Sequence, residues 1–293
     1  MSTATTTVLE SVRSEFDFNV AKYPLSGPDN MKTPWYGLFR DDTGNVVGNG
    51  SVTDRYTPHT TDDVVALVEA SSDVFGADFT ADCYWRNGHY VSITPTRDHR
   101  VSIFGERDNI FPRLIINAGF DGRAFQATIG YYRDLCRNMA MMESVDSVSV
   151  SFRHTRGLRS KMDELIATVS NLKNGWQSLT NVIHGMQAAE VNMVEFLDQV
   201  YSTPAADASQ RATTMHRNRT EAIFRRLAGE RMDSGREPMD NNFVVSAWEA
   251  YNAIQGYSQW DQNRRGTVSQ WDRILLASRD NHVRKAEEIA LAA

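Results

Sequence analysis

The chain has 293 residues, 41% hydrophobic and 23% charged, ordinary proportions for a globular protein long enough for one large domain or two modest ones. Its two cysteines, Cys83 and Cys136, exclude a disulfide framework and a cysteine zinc site, and no apolar run approaches the roughly 18 residues of a bilayer span. With 31 cations against 37 acids the formal charge is −6, which excludes a uniformly basic nucleic-acid coat.

Residues 1–30 are polar and rich in Thr and Ser, read as an arm or loop ending in "YPLSGPDNMKTP". The run "WYGLFRDDTGNVVGNGSVTDRY" predicts a hairpin, because aromatic and β-branched residues flank the turn-forming Asp41-Asp42-Thr43-Gly44-Asn45. "TPHTTDDVVALVEASSDVFG" predicts a helix. Thr60 or Thr61 can cap it, Asp62 and Asp63 suit its positive end, and Val64, Val65, Leu67 and Val68 supply the apolar side. From Tyr84 to Phe152 the pattern is mainly β, with breaks at Pro95, Gly105, Pro112 and Asp121-Gly122, the last pair predicting a second hairpin. The following "LCRNMAMMES" has poor turn chemistry and reads as a short helix or irregular loop.

After His154 the pattern turns helical. "LRSKMDELIATVSNL" is amphipathic, and Trp176, Leu179, Ile183, Met186, Met193, Leu197 and Val200 form one stripe of a long helix. A break at "STPAADAS" precedes the basic helix "RATTMHRNRTEAIFRRLAGERM". A third helix carries Val245, Trp248, Tyr251 and Ile254 on one face, and a last one ends in an alanine-rich tail. The expected class is α+β: a twisted, mainly antiparallel sheet in the N-terminal half backed by helices, then a helical C-terminal half. The expected divisions are an arm over 1–30, a β-rich core over 31–160 and a helical region over 161–293.

No phosphate loop, serine elbow or His-Glu-x-x-His metal helix occurs, and the seven histidines lack ligand spacing. Neither a catalytic residue, a metal site nor a cofactor is therefore assigned. Cys136, between Leu135 and Arg137, could be a thiolate beside positive charge or a buried small hydrophobe, the latter being favoured.

The charge is uneven. Arg97 to Lys161 holds eleven cations against seven acids, a net of +4 that leaves −10 elsewhere. Arg133 and Arg137 would share a helical face, with Asn138 beside them. "SFRHTRGLR" adds Arg153, His154, Arg156 and Arg159 at a strand-to-helix transition, where free amides and guanidinium groups together suit a phosphate. Tyr131, Tyr132, Phe152, Tyr84 and Trp85 are interleaved, and cations with aromatics are how single strands are held. Internal salt bridges and an aromatic core are the other reading of the same residues.

The order of "PWYGLFRDDTGNVVGNGSVTDRYTP", "NAGFDGRA", "RDLCRNMA", "FRHT" and "AWEAYNAIQGYS" resembles the DUF932, or phage/plasmid-like, family over roughly residues 30–290. The resemblance rests on Arg133, Cys136 and Asn138, on His154-Thr155, and on the helix from Trp248 to Ala253. The chain departs from the family pattern at Gly119-Phe120, where a histidine is usual, and at Asp134, where apolar residues are usual. The resemblance implies a phage, prophage or plasmid source and a bacterial cytoplasm, but no settled activity.

The functional expectation is a nucleic-acid-binding protein, possibly a single-strand DNA binding or annealing factor of phage DNA metabolism, acting as a homo-oligomer away from membranes. Arg133, Arg137, Asn138, Arg153, His154, Arg156 and Arg159 would make the contacts. One alternative is a phosphate-handling enzyme such as a nuclease, with Asp121 or Asp134 on a metal. The other is a structural or host-interaction protein.

Overall fold

The computed structural model describes residues 3–72, 76, 78–85, 88–94, 99–120, 124–140, 142, 149–169, 172–262, 273–274, 277–278 and 280–293. The class is α+β, with antiparallel sheets in the first half and a mostly helical second half. The change of composition near residue 160 is not where the contacts divide. One compact unit comprises Met1–His99, Pro112–Gly130 and Asp146–Gln177; the other comprises Arg100–Phe111, Tyr131–Val145 and Ser178–Ala293.

In the first unit, residues read as an arm form α1 (Thr3–Glu15) and β1 (Val20–Ser26). Leu9, Val12 and Phe16, at three-and-four spacing, bury one face of α1. β1 pairs antiparallel with β2 (Lys32–Arg40), which forms the expected hairpin with β3 (Val46–Thr53). Gly44 takes the positive φ in that turn. α2 (Thr61–Ala70) begins as its sequence indicates: the Thr60 hydroxyl accepts from Asp63 N, and the Asp63 carboxylate accepts from Thr60 N. β4 (Thr80–Trp85), β5 (Gly88–Thr94), most of β7 (Asn109–Gly119), the first part of β8 (Phe125–Arg133) and β10 (Ser149–Phe152) are strands of a second sheet. β7 and β8 are neighbours in it, while Asp121-Gly122 lies outside the described residues. α3 (Leu158–Val169) packs against α2.

The second unit contains β6 (Val101–Ser102), the ends of β7 and β8, and β9 (Asn138–Ala140), which pairs antiparallel with β8. The long helix expected across Trp176–Val200 is two helices, α4 (Leu172–Ala188) and α5 (Met193–Tyr201), separated by β11 (Glu190–Asn192). The break is chemical: Asn192 Oδ1 accepts from the amides of Val194 and Glu195 and starts a new helix. α6 (Gln210–Asp233) follows, then β12 (Val244–Ser246), which pairs with β11. α7 (Ala247–Gly256) was expected to bury one face, but every one of its residues is buried. A π-turn over Tyr257–Asp261 extends α7, and α8 (Asn281–Ala292) packs on it.

Candidate functional site

Arg133 ends β8 in the second unit and is 2% exposed. Its Nε and Nη2 donate to the two oxygens of Asp108, each at 2.7 Å, and Nη1 donates to Glu230 Oε2 at 2.6 Å. Burial opposes the charge on this guanidinium, but the Glu230 charge and the Asp108 hydrogen bonds outweigh it, so Arg133 stays protonated. The network continues through Glu230 to Arg226, whose fork grips Asp261 at 2.6 and 2.9 Å. The carboxylate pair that a metal-dependent nuclease would need beside Arg133 does converge, as Asp108 and Glu230, but it converges on the guanidinium.

Asp134–Arg137 form a turn that closes a hairpin in which Arg133 faces Asn138, so residues 135–140 are turn and strand where a short helix or irregular loop was expected, while 141 and 143–144 of that stretch lie outside the described residues. Arg133 and Arg137 accordingly do not share a helical face. Arg137 is exposed with φ at +57°, a left-handed conformation in which an L side chain crowds the carbonyl. Asp134 accepts from the Asn109 backbone amide at 3.1 Å and so ties the turn to β7. Asp134 is thereby committed to a protein contact.

Asn138 is fully buried. Its Nδ2 donates to Asn252 O at 3.2 Å, and its Oδ1 accepts from Trp260 Nε1 at 3.1 Å. Next to it, Met139 N donates to Gln259 Oε1 at 3.1 Å, and Met139 O accepts from Gln255 Nε2 at 2.9 Å. Two glutamines one turn apart thus stand in for a neighbouring strand at the free edge of β9. Gly256 lies among these groups, because a Cβ there would come within 2.9 Å of Arg226 and Asn138. Cys136 borders a cleft of about 510 Å³ shared with Arg225, Gly229 and Asp261. Burial, aided by the Glu230 charge, pushes its thiol up to about 12, so it is a neutral thiol and not an activated nucleophile.

The other predicted residues belong to the first unit. Arg153 and Arg156 are exposed, and Arg156 pairs with the exposed Asp54. Arg159 lies in the first turn of α3 with a side chain outside the described residues. His154 is buried, with Nδ1 3.3 Å from Thr57 O and its ring stacked on Tyr56. It joins two further buried histidines, for His59 Nε2 is 2.7 Å from His89 Nδ1 and the His59 and His154 ring centroids are 5.2 Å apart. Phe16, Phe18, Phe120, Phe125 and Trp85 surround the three rings. The seven predicted residues are thus divided between two units, and Arg133, Asn138 and His154 are interior groups. The interleaved aromatics divide similarly, with Tyr131 fully buried and Tyr84, Trp85, Tyr132 and Phe152 half-buried.

Sequence reasoning missed an open aromatic face on the β1–β2–β3 sheet of the first unit. Alternation sends Val20, Leu38 and Val47 inward onto Phe18 and Phe120. The opposite face carries Tyr23, Trp35 and Phe39, with Tyr23 54% and Trp35 47% exposed. Tyr23 pairs with Gly37, and the Tyr23 and Phe39 rings meet edge to face at 5.7 Å. Gly37 is required there because a Cβ would fall 2.6 Å from the Phe39 ring. Lys32 begins β2 and Arg55 follows β3, both exposed. The signal lay in the alternation of "WYGLF" about its glycine.

Among the described residues no helix is long and apolar enough to cross a membrane. No curated protein and no solved structure matches the chain. The model of a family described as "Domain of unknown function (DUF932)" matches residues 49–289, a segment that holds the Arg133 network and the histidine cluster and begins after Tyr23, Trp35 and Phe39. The order of short motifs and this match over most of the chain agree: the protein belongs to the DUF932 family.

Proposed function

We propose that the protein binds single-stranded nucleic acid, DNA in preference, and serves the DNA metabolism of a phage or plasmid in a bacterial cytoplasm as a binding or annealing factor. The observation that carries this reading is the open face of Tyr23, Trp35 and Phe39, with Lys32 and Arg55 at the strand ends. Bases expose their flat faces only when unpaired, and aromatic side chains on an open sheet stack on them without regard to sequence. The exposed Arg153 adds a cation in the same unit. The buried Arg133 and Asn138 hold the scaffold of the second unit and make no contact with the ligand.

Anisotropy of a labelled thymidine oligonucleotide, titrated at about 50 mM salt where phosphate contacts are strong, tests the proposal. Saturable binding that weakens with salt and with duplex formation is expected. Absence of binding at micromolar protein, or equal affinity for duplex, refutes it.

A further inference from the structure

The second half of α6 borders the cleft of about 510 Å³ that Cys136 shares. Leu135, Cys136, Ala222 and Gly229 give the cleft a half-buried floor that remains open to contact, and Asp233 stands exposed at its end. Gly229 leaves a hole there, because a Cβ built on it would meet nothing within 4 Å.

The first half of α6 carries what this cleft lacks. Met215 is 53% exposed, and Arg211, one turn before it, is exposed; neither Arg211 nor Asp233 has an ion-pair partner among the described residues. At about 100° per residue, Arg211, Met215, Ala222, Gly229 and Asp233 lie within about 40° of one another, on one seam about 33 Å long. The buried Ile223 and Leu227 point about 100–140° away from Ala222, into the core. Met215 and Gly229 stand about four turns apart on one unbroken helix, so a chain cannot seat its own methionine in its own hole. The seam does fit itself run backwards. With two copies of α6 antiparallel and centred on Ala222, Met215, seven residues before the centre, meets Gly229, seven residues after it. Arg211 and Asp233, eleven residues before and after, meet in the same way.

We propose that the protein forms a two-fold symmetric dimer in which α6 packs antiparallel on α6 of a second copy. Met215 of each copy enters the cleft of the other as a knob over Gly229, beside Leu135 and Ala222, and Arg211 of each pairs with Asp233 of the other. On the outer flank, Arg225 of each copy faces Glu221 of the other, both exposed. On the inner flank, Arg226 and Arg219 approach each other across the contact, but Arg226 is held by Asp261 and Arg219 lies over the Tyr201 ring. The occupant is a second copy because knob, hole, cation and anion lie on one seam at equal distances from one residue, which a foreign partner would not require. Every contact occurs twice, so the interface is isologous and closes at two copies. The dimer goes beyond the nucleic-acid reading and does not depend on it.

Sedimentation velocity of the full chain provides the test. Wild type at up to about 100 µM should sediment as a species of twice the 33.0 kDa chain and no larger. Arg211→Asp and Asp233→Arg each set like charges together at both ends of the contact, and each should weaken dimerisation at least about tenfold. The double variant R211D/D233R restores opposite charges and should recover it. Gly229→Leu fills the hole while raising helix propensity, so it should also weaken dimerisation at least about tenfold. These positions are exposed or open, and all four variants should keep the wild-type circular dichroism spectrum. A wild type that stays monomeric or assembles beyond two copies, single variants that dimerise as wild type does, or a double variant that stays monomeric would each overturn the proposal.

Discussion

His59 Nε2 and His89 Nδ1 lie 2.7 Å apart inside the first unit, so one ring donates and the other accepts, which requires at least one neutral imidazole. The far nitrogens, His59 Nδ1 and His89 Nε2, are buried without a hydrogen-bond partner among the described residues. The groups facing the pair are aromatic rings, His154, Tyr56 stacked on His154, and the Arg40 guanidinium over Phe18 and Trp85; among the described residues no carboxylate touches it. Burial, then the Arg40 charge, pulls His89 down to about 3, and burial followed by the other two histidines holds His59 well below its usual value. Folded-state values below the unfolded value of about 6.5 mean that the unfolded chain takes up protons first. Stability should therefore be complete above about pH 6.5 and fall as pH drops below it, by about 2 kcal/mol at pH 5 from His89 alone, with His59 acting in the same direction. Thermal melts between pH 7.5 and 5 should show this slope, and His89→Phe should flatten it.

Removing Arg133 should cost far more than its single side chain suggests. Arg133→Met leaves Asp108 and Glu230 buried and unpaired, and breaking such a triad costs roughly 3–5 kcal/mol. Urea unfolding of R133M checks this. Arg133→Lys should recover little, since an ammonium cannot match the two-pronged contact with Asp108.

The glutamine pair gives a local prediction. Gln255→Ala and Gln259→Ala each leave one backbone group of Met139 without its partner, at a cost of about 1–3 kcal/mol. Hydrogen exchange should quicken at the Met139 amide in Gln259→Ala, whose loss removes its acceptor. Gln255→Ala should affect that amide less.

Arg137 should behave oppositely to Arg133. Its left-handed backbone costs roughly 1–2 kcal/mol for an L residue, and asparagine tolerates that conformation better. Arg137→Asn should raise the unfolding midpoint slightly, by up to about 1 kcal/mol of stability. Denaturant titration of the two proteins decides it.

On the aromatic face, Trp35→Ala and Tyr23→Ala remove exposed rings and should leave the melting temperature nearly unchanged. Each should weaken single-strand binding by about 1–3 kcal/mol, the worth of one stacked base. Equal affinity of both variants and wild type in the anisotropy titration counts against the proposed face.

Local chemistry was the readable part of the sequence. Thr60 and Asp63 announce a helix start within four residues, and the Asp41–Asn45 turn announces its hairpin, so both stand as expected. Leu9, Val12 and Phe16 carried the same kind of signal for α1, hidden under a threonine-rich composition. The role of Arg133 was not readable, because its partners Asp108 and Glu230 are 25 and 97 residues away and nothing local distinguishes a paired arginine from a free one. The β8–β9 turn was missed since it contains neither glycine nor proline, its reversal depending on Arg137 in a costly conformation. Half of the open sheet face was legible, since Trp35 and Phe39 alternate about Gly37, but placing Tyr23 beside them needs the Tyr23–Gly37 pairing, which sequence spacing does not supply.

The glutamines at β9 also set an order of events during synthesis. Met139 leaves the ribosome 116 and 120 residues ahead of the two side chains that complete its hydrogen bonds. Until α7 emerges, this short strand has an unfilled edge and Asn138 lacks both of its partners, a transient vulnerability to wrong pairing between nascent chains. Contacts of such long sequence separation also slow folding, since the intervening loop must close before any of them forms. Maturation of the second unit is thus tied to arrival of its late helix, and a chaperone that holds the β-rich intermediate would raise the yield of folded protein.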